Sequence, residues 1–170
     1  MSTRLANAGR LVNKNKAVSF TFNGKNLRGF EGDTLASALL ANDQMMVGRS
    51  FKYHRPRGVV ASGAEEPNGL VNLGKDNTFE PNQRITTTEL FDGLTATSQN
   101  HWPSLEFDVG VINTYFSRFM PAGFYYKMFI HPRPFWKHIY EPMIRQAAAL
   151  GRPPKTATPT PTNTSTYPLT

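Results

Sequence analysis

The sequence predicts a small α+β roll, and three observations predict it. Val18, Phe20 and Phe22 alternate with Ser19, Thr21 and Asn23, the period of a half-buried strand. Asn23-Gly24 then offers two residues that accept positive φ, as a type I′ hairpin turn demands. The next segment, "GDTLASALLAND", places Leu35, Ala38 and Leu39 on one helical face. A hairpin, a crossing helix and further short strands make a roll of the β-grasp kind.

The elements follow in order. The second strand of the hairpin should run through about Leu27 to Phe30. Asp33 is the expected N-cap of the helix, because its carboxylate can accept orphan backbone N–H groups, and Asn42 is a plausible stop. Strands are expected at "LVNL" (70–73), "RITTTEL" (84–90) and "LTATSQ" (94–99), with a turn at Asp92-Gly93 between the last two. The composition changes after Asn100. Ten aromatic residues crowd into 115–140, from Tyr115 to Tyr140. Pro134 can open a helix there, and Trp136, Ile139, Tyr140, Met143, Ile144 and Ala147 recur at spacings of three and four. Pro142 should kink that helix, and Gly151 suits its end. The last residues, "KTATPTPTNTSTYPLT", have too little apolar surface to order themselves. The expected organisation is a basic arm (1–16), the roll (17–100), an aromatic-rich helical docking segment (101–152) and a disordered Thr/Pro tail (153–170).

Charge is distributed unevenly. Residues 1–60 hold ten Lys/Arg against three Asp/Glu, whereas residues 61–170 hold nine of each. The net charge of +7 therefore sits in the first third, where an anionic partner would be met. There is no cysteine, so disulfides and thiolate chemistry are excluded. No apolar run approaches the roughly 18 residues of a membrane span, and a secretory signal is lacking, so a soluble cytoplasmic protein is expected.

The stretch "RSFKYHRPRG" (49–58) concentrates the basic residues and interleaves them with Phe51 and Tyr53. Arg55-Pro56-Arg57 presents two guanidinium forks, which suit phosphate or carboxylate. The alternatives are a solvated basic loop and a free-standing binding module for nucleic acid, which would use basic groups and stacking aromatics alike. Glu65-Glu66 reads as a counter-charge to Arg55 and Arg57. The four histidines are scattered without metal-ligand spacing, and no nucleophile constellation or glycine-rich dinucleotide loop is present. No catalytic residue and no metal site are expected, and no nucleic-acid or membrane partner.

Five segments together, "GFEGDTLASALLAN", "VGRSFKYHRPRG", "GAEEPNGLV", "TTTELFDGLTATSQNHWPS" and "PAGFYYKMFIHP", resemble the amino-terminal region of the alpha subunit of heterotetrameric bacterial sarcosine oxidase. The resemblance covers about residues 4–153. It implies a 2Fe–2S ferredoxin-like β-grasp domain at the front of a longer chain that goes on to NAD-binding and folate-binding domains. It also implies a beta subunit carrying FAD, with FMN at the interface. The implied activity of the complex is oxidation of sarcosine to glycine, with transfer of the one-carbon unit to tetrahydrofolate and reduction of oxygen to hydrogen peroxide.

Cluster-binding relatives carry Cys-x-x-Gly-x-Cys-x-x-Cys after the Pro-Arg-Gly. Here the register falls on Val60, Gly63, Glu65 and Asn68, with a fourth position near Thr87. The glycine is kept and the thiolates are not, so the expectation is a degenerate scaffold with no iron–sulfur cluster. The resemblance also implies a linker after Pro153 that this chain replaces by its Thr/Pro tail, as in a truncated or frameshifted reading frame or a split subunit. The reading that follows is a non-catalytic assembly domain without activity of its own. Its partners would be the other alpha-subunit domains and the beta subunit. Arg49, Lys52, Arg55 and Arg57 are expected at the edge of a bound cofactor, with Tyr53 and His54 as second choices.

Overall fold

A computed structural model describes residues 3–5, 7, 9–119, 123 and 133–147. Strand β1 (Asn13–Phe22) and strand β2 (Lys25–Glu31) form the expected antiparallel hairpin. Its turn residues Asn23 and Gly24 have φ of 50° and 78°. The Asn23 side-chain oxygen also accepts from the Ser98 N–H and hydroxyl, so the turn is tied to a segment 75 residues further along the chain. Strand β1 starts at Asn13, inside the stretch expected as an arm. Residues 13–17 are all exposed, so no burial alternation marks that part of the strand in the sequence. Near the front, Thr3 N donates to Ala41 O and Arg4 pairs with Asp33 at 2.6 Å.

Helix α1 spans Leu35–Ala41. Its N-cap is Thr34, which corrects the expected Asp33. Thr34 and Ser37 exchange side-chain and backbone bonds in a capping box. The Asp33 carboxylate is buried just outside, where it accepts from Phe30 N, the Ser37 hydroxyl and Arg4. Asn42 ends the helix as expected.

Two short strands follow, β3 (Gly48–Arg49) and β4 (Pro56–Arg57), paired in a separate two-stranded sheet. Strands β5 (Leu70–Leu73), β6 (Glu80–Arg84) and β7 (Leu94–Thr97) complete the main sheet, in the order β2-β1-β7-β5-β6. The central β1–β7 pair is parallel and its neighbours are antiparallel. The strand expected at 84–90 is corrected: β6 ends at Arg84 and the chain turns there. The Thr87 and Thr88 hydroxyls and amides all reach the Arg84 carbonyl, so side-chain bonding to the local backbone overrides the β-propensity of the Thr run.

The core lies between the sheet and α1. Phe20 and Phe22 from β1, Leu35 and Leu39 from α1, and Val71 and Ile85 are fully buried there. Each such side chain contributes about 1.5–3 kcal/mol on leaving water. The result is a mixed α+β domain of the kind the sequence predicts.

Beyond the roll, residues Val109–Thr114 and Ser117–Phe119 form 3₁₀ turns. A later helical run comprises Arg133–Phe135, Trp136–Tyr140 and Glu141–Ala147, with a π-helical middle. The π-turn stands immediately before Pro142, whose missing N–H and bulky ring disturb the α ladder there. The rest of the aromatic tract, Gly151 and the Thr/Pro tail lie outside the described residues. No helix among the described residues is long and apolar enough to cross a membrane.

Two glycines separate conformational strain from steric exclusion. Gly74 (φ 70°) and Gly93 (φ 80°) both occupy left-handed backbone. A Cβ on Gly74 would fall on the Thr78 carbonyl, whereas one on Gly93 meets nothing within 4 Å. Gly93→Ala should therefore lose about 1–2 kcal/mol from conformation alone. Gly74→Ala should lose at least twice as much. Urea unfolding midpoints of the two variants check the difference.

Candidate functional site

The basic stretch is a hairpin. Its strands are β3 and β4, and its tip is closed by Ser50 N to Arg55 O, by His54 N to Ser50 O and by Arg55 N to the Ser50 hydroxyl. His54 adopts φ of 54° at the tip, an uncommon backbone for a residue with a side chain.

The hairpin divides the predicted site residues into two groups. Arg49 is turned inward and buried, which differs from the expected surface placement. Its guanidinium donates to the carbonyls of Leu105 (2.8 Å), His54 (2.8 Å) and Glu106 (3.2 Å), and it lies 3.5 Å from Asp108. An arginine so committed positions the backbone. Lys52 and Arg55 instead both stack on the Tyr53 ring, 4.8 Å and 4.9 Å from its centroid. Arg57 is exposed and donates to the Asn68 side chain. The structure thus brings Lys52, Tyr53 and Arg55 together at the tip and sets Arg57 on the flank.

The His54 ring faces Asp108, with Nδ1 2.7 Å from Oδ2. The other carboxylate oxygen accepts from Trp102 N and Gly110 N, both at 3.0 Å. Burial alone would raise the Asp108 pKa, but these two N–H groups and then His54 outweigh it and hold the carboxyl below its usual range. An ionised carboxylate only accepts, so His54 Nδ1 supplies the hydrogen of their bond. Gly110 passes so close to the His54 ring that any Cβ there would overlap it. Nearby, His101 Nε2 lies 2.7 Å from the Ser98 hydroxyl, and burial, aided by Arg49, keeps His101 below its usual pKa.

The second feature is the loop between β4 and β5. Glu66 is fully buried in it. One carboxylate oxygen accepts from Val60 N and Ala61 N, both at 2.7 Å, and the other from Asn68 N at 2.7 Å and Gly69 N at 3.0 Å. Burial pushes the Glu66 pKa up, and the four N–H groups more than reverse it, leaving it lowered. This corrects the expected counter-charge to Arg55 and Arg57: Glu66 serves backbone amides. Arg84 closes the loop from behind through Glu66 O, and Thr86 does so through Gly63 O. Glu65 is exposed.

A cavity of about 190 Å³ lies where the hairpin and this loop meet, lined in part by Ser50, Arg57, Asn68, Gln99 and Asn100. Among the described residues, no group of three or more His, Cys, Asp or Glu is placed to hold a metal ion.

A protein-family model described as "2Fe-2S iron-sulfur cluster binding domain" matches residues 15–101. The chain belongs to this family. It is also homologous to sarcosine oxidase alpha subunits over most of its length. It is 58% identical over 151 residues to the sarcosine oxidase subunit alpha of Rhizobium meliloti (strain 1021), a match that covers 89% of this chain and 15% of that protein. It is 41% identical over 93 residues to the subunit of the same name from Corynebacterium sp. (strain U-96), covering 53% of this chain and 10% of that one. The chain therefore spans a small fraction of the length of these relatives. Among solved structures, L-proline dehydrogenase from P. horikoshii aligns with a TM-score of 0.40 at 24% identity, covering 55% of this chain and 18% of that one. The Rhizobium match reaches well past the domain. The family match spans 87 residues and at most 14 can precede it, so at least 50 of the 151 matched residues follow residue 101.

The family match corrects the expectation that this domain has no iron–sulfur cluster, because the family is described by its binding of one. The chain has no cysteine. The positions in register with the ligands are Val60, Glu65, Asn68 and Thr87, and the amides of Val60, Ala61, Asn68 and Gly69 are bonded to Glu66. This residue set does not fit a thiolate-ligated cluster, and no step below is routed through one.

The sequence reading names Glu66 in the wrong role and does not single out Asp108. The available signals were the "EEPNG" turn and Asp108-Val-Gly110, an Asp whose side chain can serve the amide two residues on.

Glu66→Gln keeps the shape of the side chain but points an NH₂ at backbone donors. A loss of about 2–3 kcal/mol is expected, the penalty for stranding buried donors. The folded pKa of Glu66 is depressed, so its contribution is fully present above the ordinary 4.5 and is lost as pH falls through the lower folded value. Thermal melts of wild type and variant should differ most at neutral pH and converge in acid.

Proposed function

We propose that this chain is a non-catalytic assembly domain of a sarcosine-oxidase-type alpha subunit. It would serve in a flavin-dependent complex that oxidises sarcosine to glycine, passes the one-carbon unit to tetrahydrofolate and reduces oxygen to hydrogen peroxide. The observation that carries this reading is the 58% identity to a sarcosine oxidase alpha subunit over 151 residues. The arrangement of polar groups supports the non-catalytic part. The perturbed acids Glu66 and Asp108 are both committed to backbone amides, and the His54 ring is held by Asp108. None is left poised over a substrate. Placement in the cytoplasm, and the other alpha-subunit domains and beta subunit as partners, belong to the same proposal.

Within it, the hairpin cations meet anionic groups of a neighbouring domain or its cofactor. Arg55 and Arg57 are the two to test, because Arg49 is spent on carbonyls. The chain is expressed with its neighbouring reading frames and purified by a tag on this chain. A yellow, flavin-bearing complex is the expected result. Arg55→Ala/Arg57→Ala should reduce the flavin recovered per chain about tenfold, on the scale of one or two lost charge-assisted contacts. Colourless chain recovered alone would refute the assembly reading. Undiminished flavin in the double variant would refute only the role of the two arginines.

A further inference from the structure

The exposed apolar residues of the described chain concentrate beside the basic hairpin. Trp102 is 69% exposed, Phe107 70%, Ile112 54%, Tyr115 84% and Phe116 53%, all within fifteen consecutive residues. The four aromatics leave on the order of 550 Å² in solvent, taking about 200 Å² for each side chain. Ile112 and its valine neighbours add to that. A specific interface takes about 800 Å² from each partner.

The backbone under these rings is fixed. Asp108 takes the amides of Trp102 and Gly110, and Val109 N donates to Trp102 O at 2.8 Å. Ser104 N donates to Phe107 O at 3.1 Å, and the Thr114 hydroxyl reaches Tyr53 O at 3.1 Å. An exposed side chain on an ordered backbone binds with little further ordering loss. The same bonds fasten the ridge to the hairpin that carries Lys52, Arg55 and Arg57, and Arg118 stands in the following turn. A partner that spans both the ridge and the hairpin tip meets these cations, and carboxylates on it would match them.

We propose that the ridge 102–116 and the cationic hairpin tip form one docking surface. Its occupant is the remaining polypeptide of a sarcosine-oxidase-type alpha chain, presenting an apolar face rimmed by acidic side chains. The inference rests on the assembly reading above and deepens it by naming the surface. It also narrows the docking segment expected at 101–152 to residues 102–116, where the exposed rings of the described chain cluster. At least 50 residues beyond 101 are shared with the Rhizobium alpha subunit, most of whose length lies outside the match. The segment that carries the ridge is thus part of what the two chains have in common.

The test uses the co-expressed chain with its neighbouring reading frames. Phe107→Ser/Tyr115→Ser removes two exposed rings and should leave the melting temperature unchanged. Ile112→Asp is a second variant on the same ridge, independent of the first. Both should recover at least about tenfold less partner than wild type, the scale of interface anchors. Wild-type capture should also weaken as salt rises. If wild type captures partner and both variants capture as much, this surface is wrong and the assembly reading stands. If wild type captures nothing, both fall. If the isolated chain sediments as a dimer that the variants convert to monomer while partner capture is unchanged, the ridge binds a second copy and the inference is overturned.

Discussion

The carboxylate of Asp108 ties the basic hairpin to the segment that follows the roll. It is buried, and an isolated buried carboxylate costs several kcal/mol in lost hydration. Here it is surrounded by Trp102 N, Gly110 N, His54 Nδ1 and the edge of Arg49. Two of those groups come from the basic hairpin and two from the segment after the roll. Loss of the carboxylate would strand partners in both at once. It would also release His54, whose left-handed backbone costs about 1–2 kcal/mol and persists only while its surroundings demand it. Gly110 belongs to the same constraint, since only glycine lets the chain pass the imidazole.

Glu66 repeats the device within the roll. Each acid is drawn up in pKa by burial and brought down further by amides, so both stay ionised. The signs agree. Both contributions are present above the ordinary carboxylate values and fade as pH falls through the lowered ones. Acid should therefore loosen the loop after β4 and the hairpin–ridge joint together, while the apolar core under α1 is indifferent to pH.

The sequence declares those features whose cause is local. Val18, Phe20 and Phe22 carry the first hairpin because strand alternation is a property of neighbours, and Asn23-Gly24 marks its turn for the same reason. Helix α1 is legible from Leu35 and Leu39, although its cap lies one residue beyond Asp33 because Thr34 and Ser37 complete a reciprocal pair. Strand β6 was misplaced because "RITTTEL" has strand composition, and nothing nearby reveals that its hydroxyls turn back on Arg84. The candidate site was legible only as charge. Arg49 and Arg57 look alike in "RSFKYHRPRG", yet the carbonyls of Leu105 and Glu106 bury the first while the second stays on the flank. That difference is set by contacts more than fifty residues away. The exposed ridge is visible in the sequence only as aromatic content, whereas the Asp108 bonds to Trp102 N and Gly110 N that order its backbone are not.

These two carboxylates also decide which polar groups are used up inside the domain. In the loop at 60–69 the inward-facing amides are satisfied by a side chain of the same loop, so its shape needs nothing from outside. In the hairpin, Arg49 and His54 are likewise consumed internally. The joint also carries the Tyr53 ring under Lys52 and Arg55, Arg57 on the flank, and the exposed rings of Trp102, Phe107, Tyr115 and Phe116. An exposed apolar surface is not relieved by water. The loop at 60–69 closes on itself through Glu66, and the joint is the surface we propose for docking.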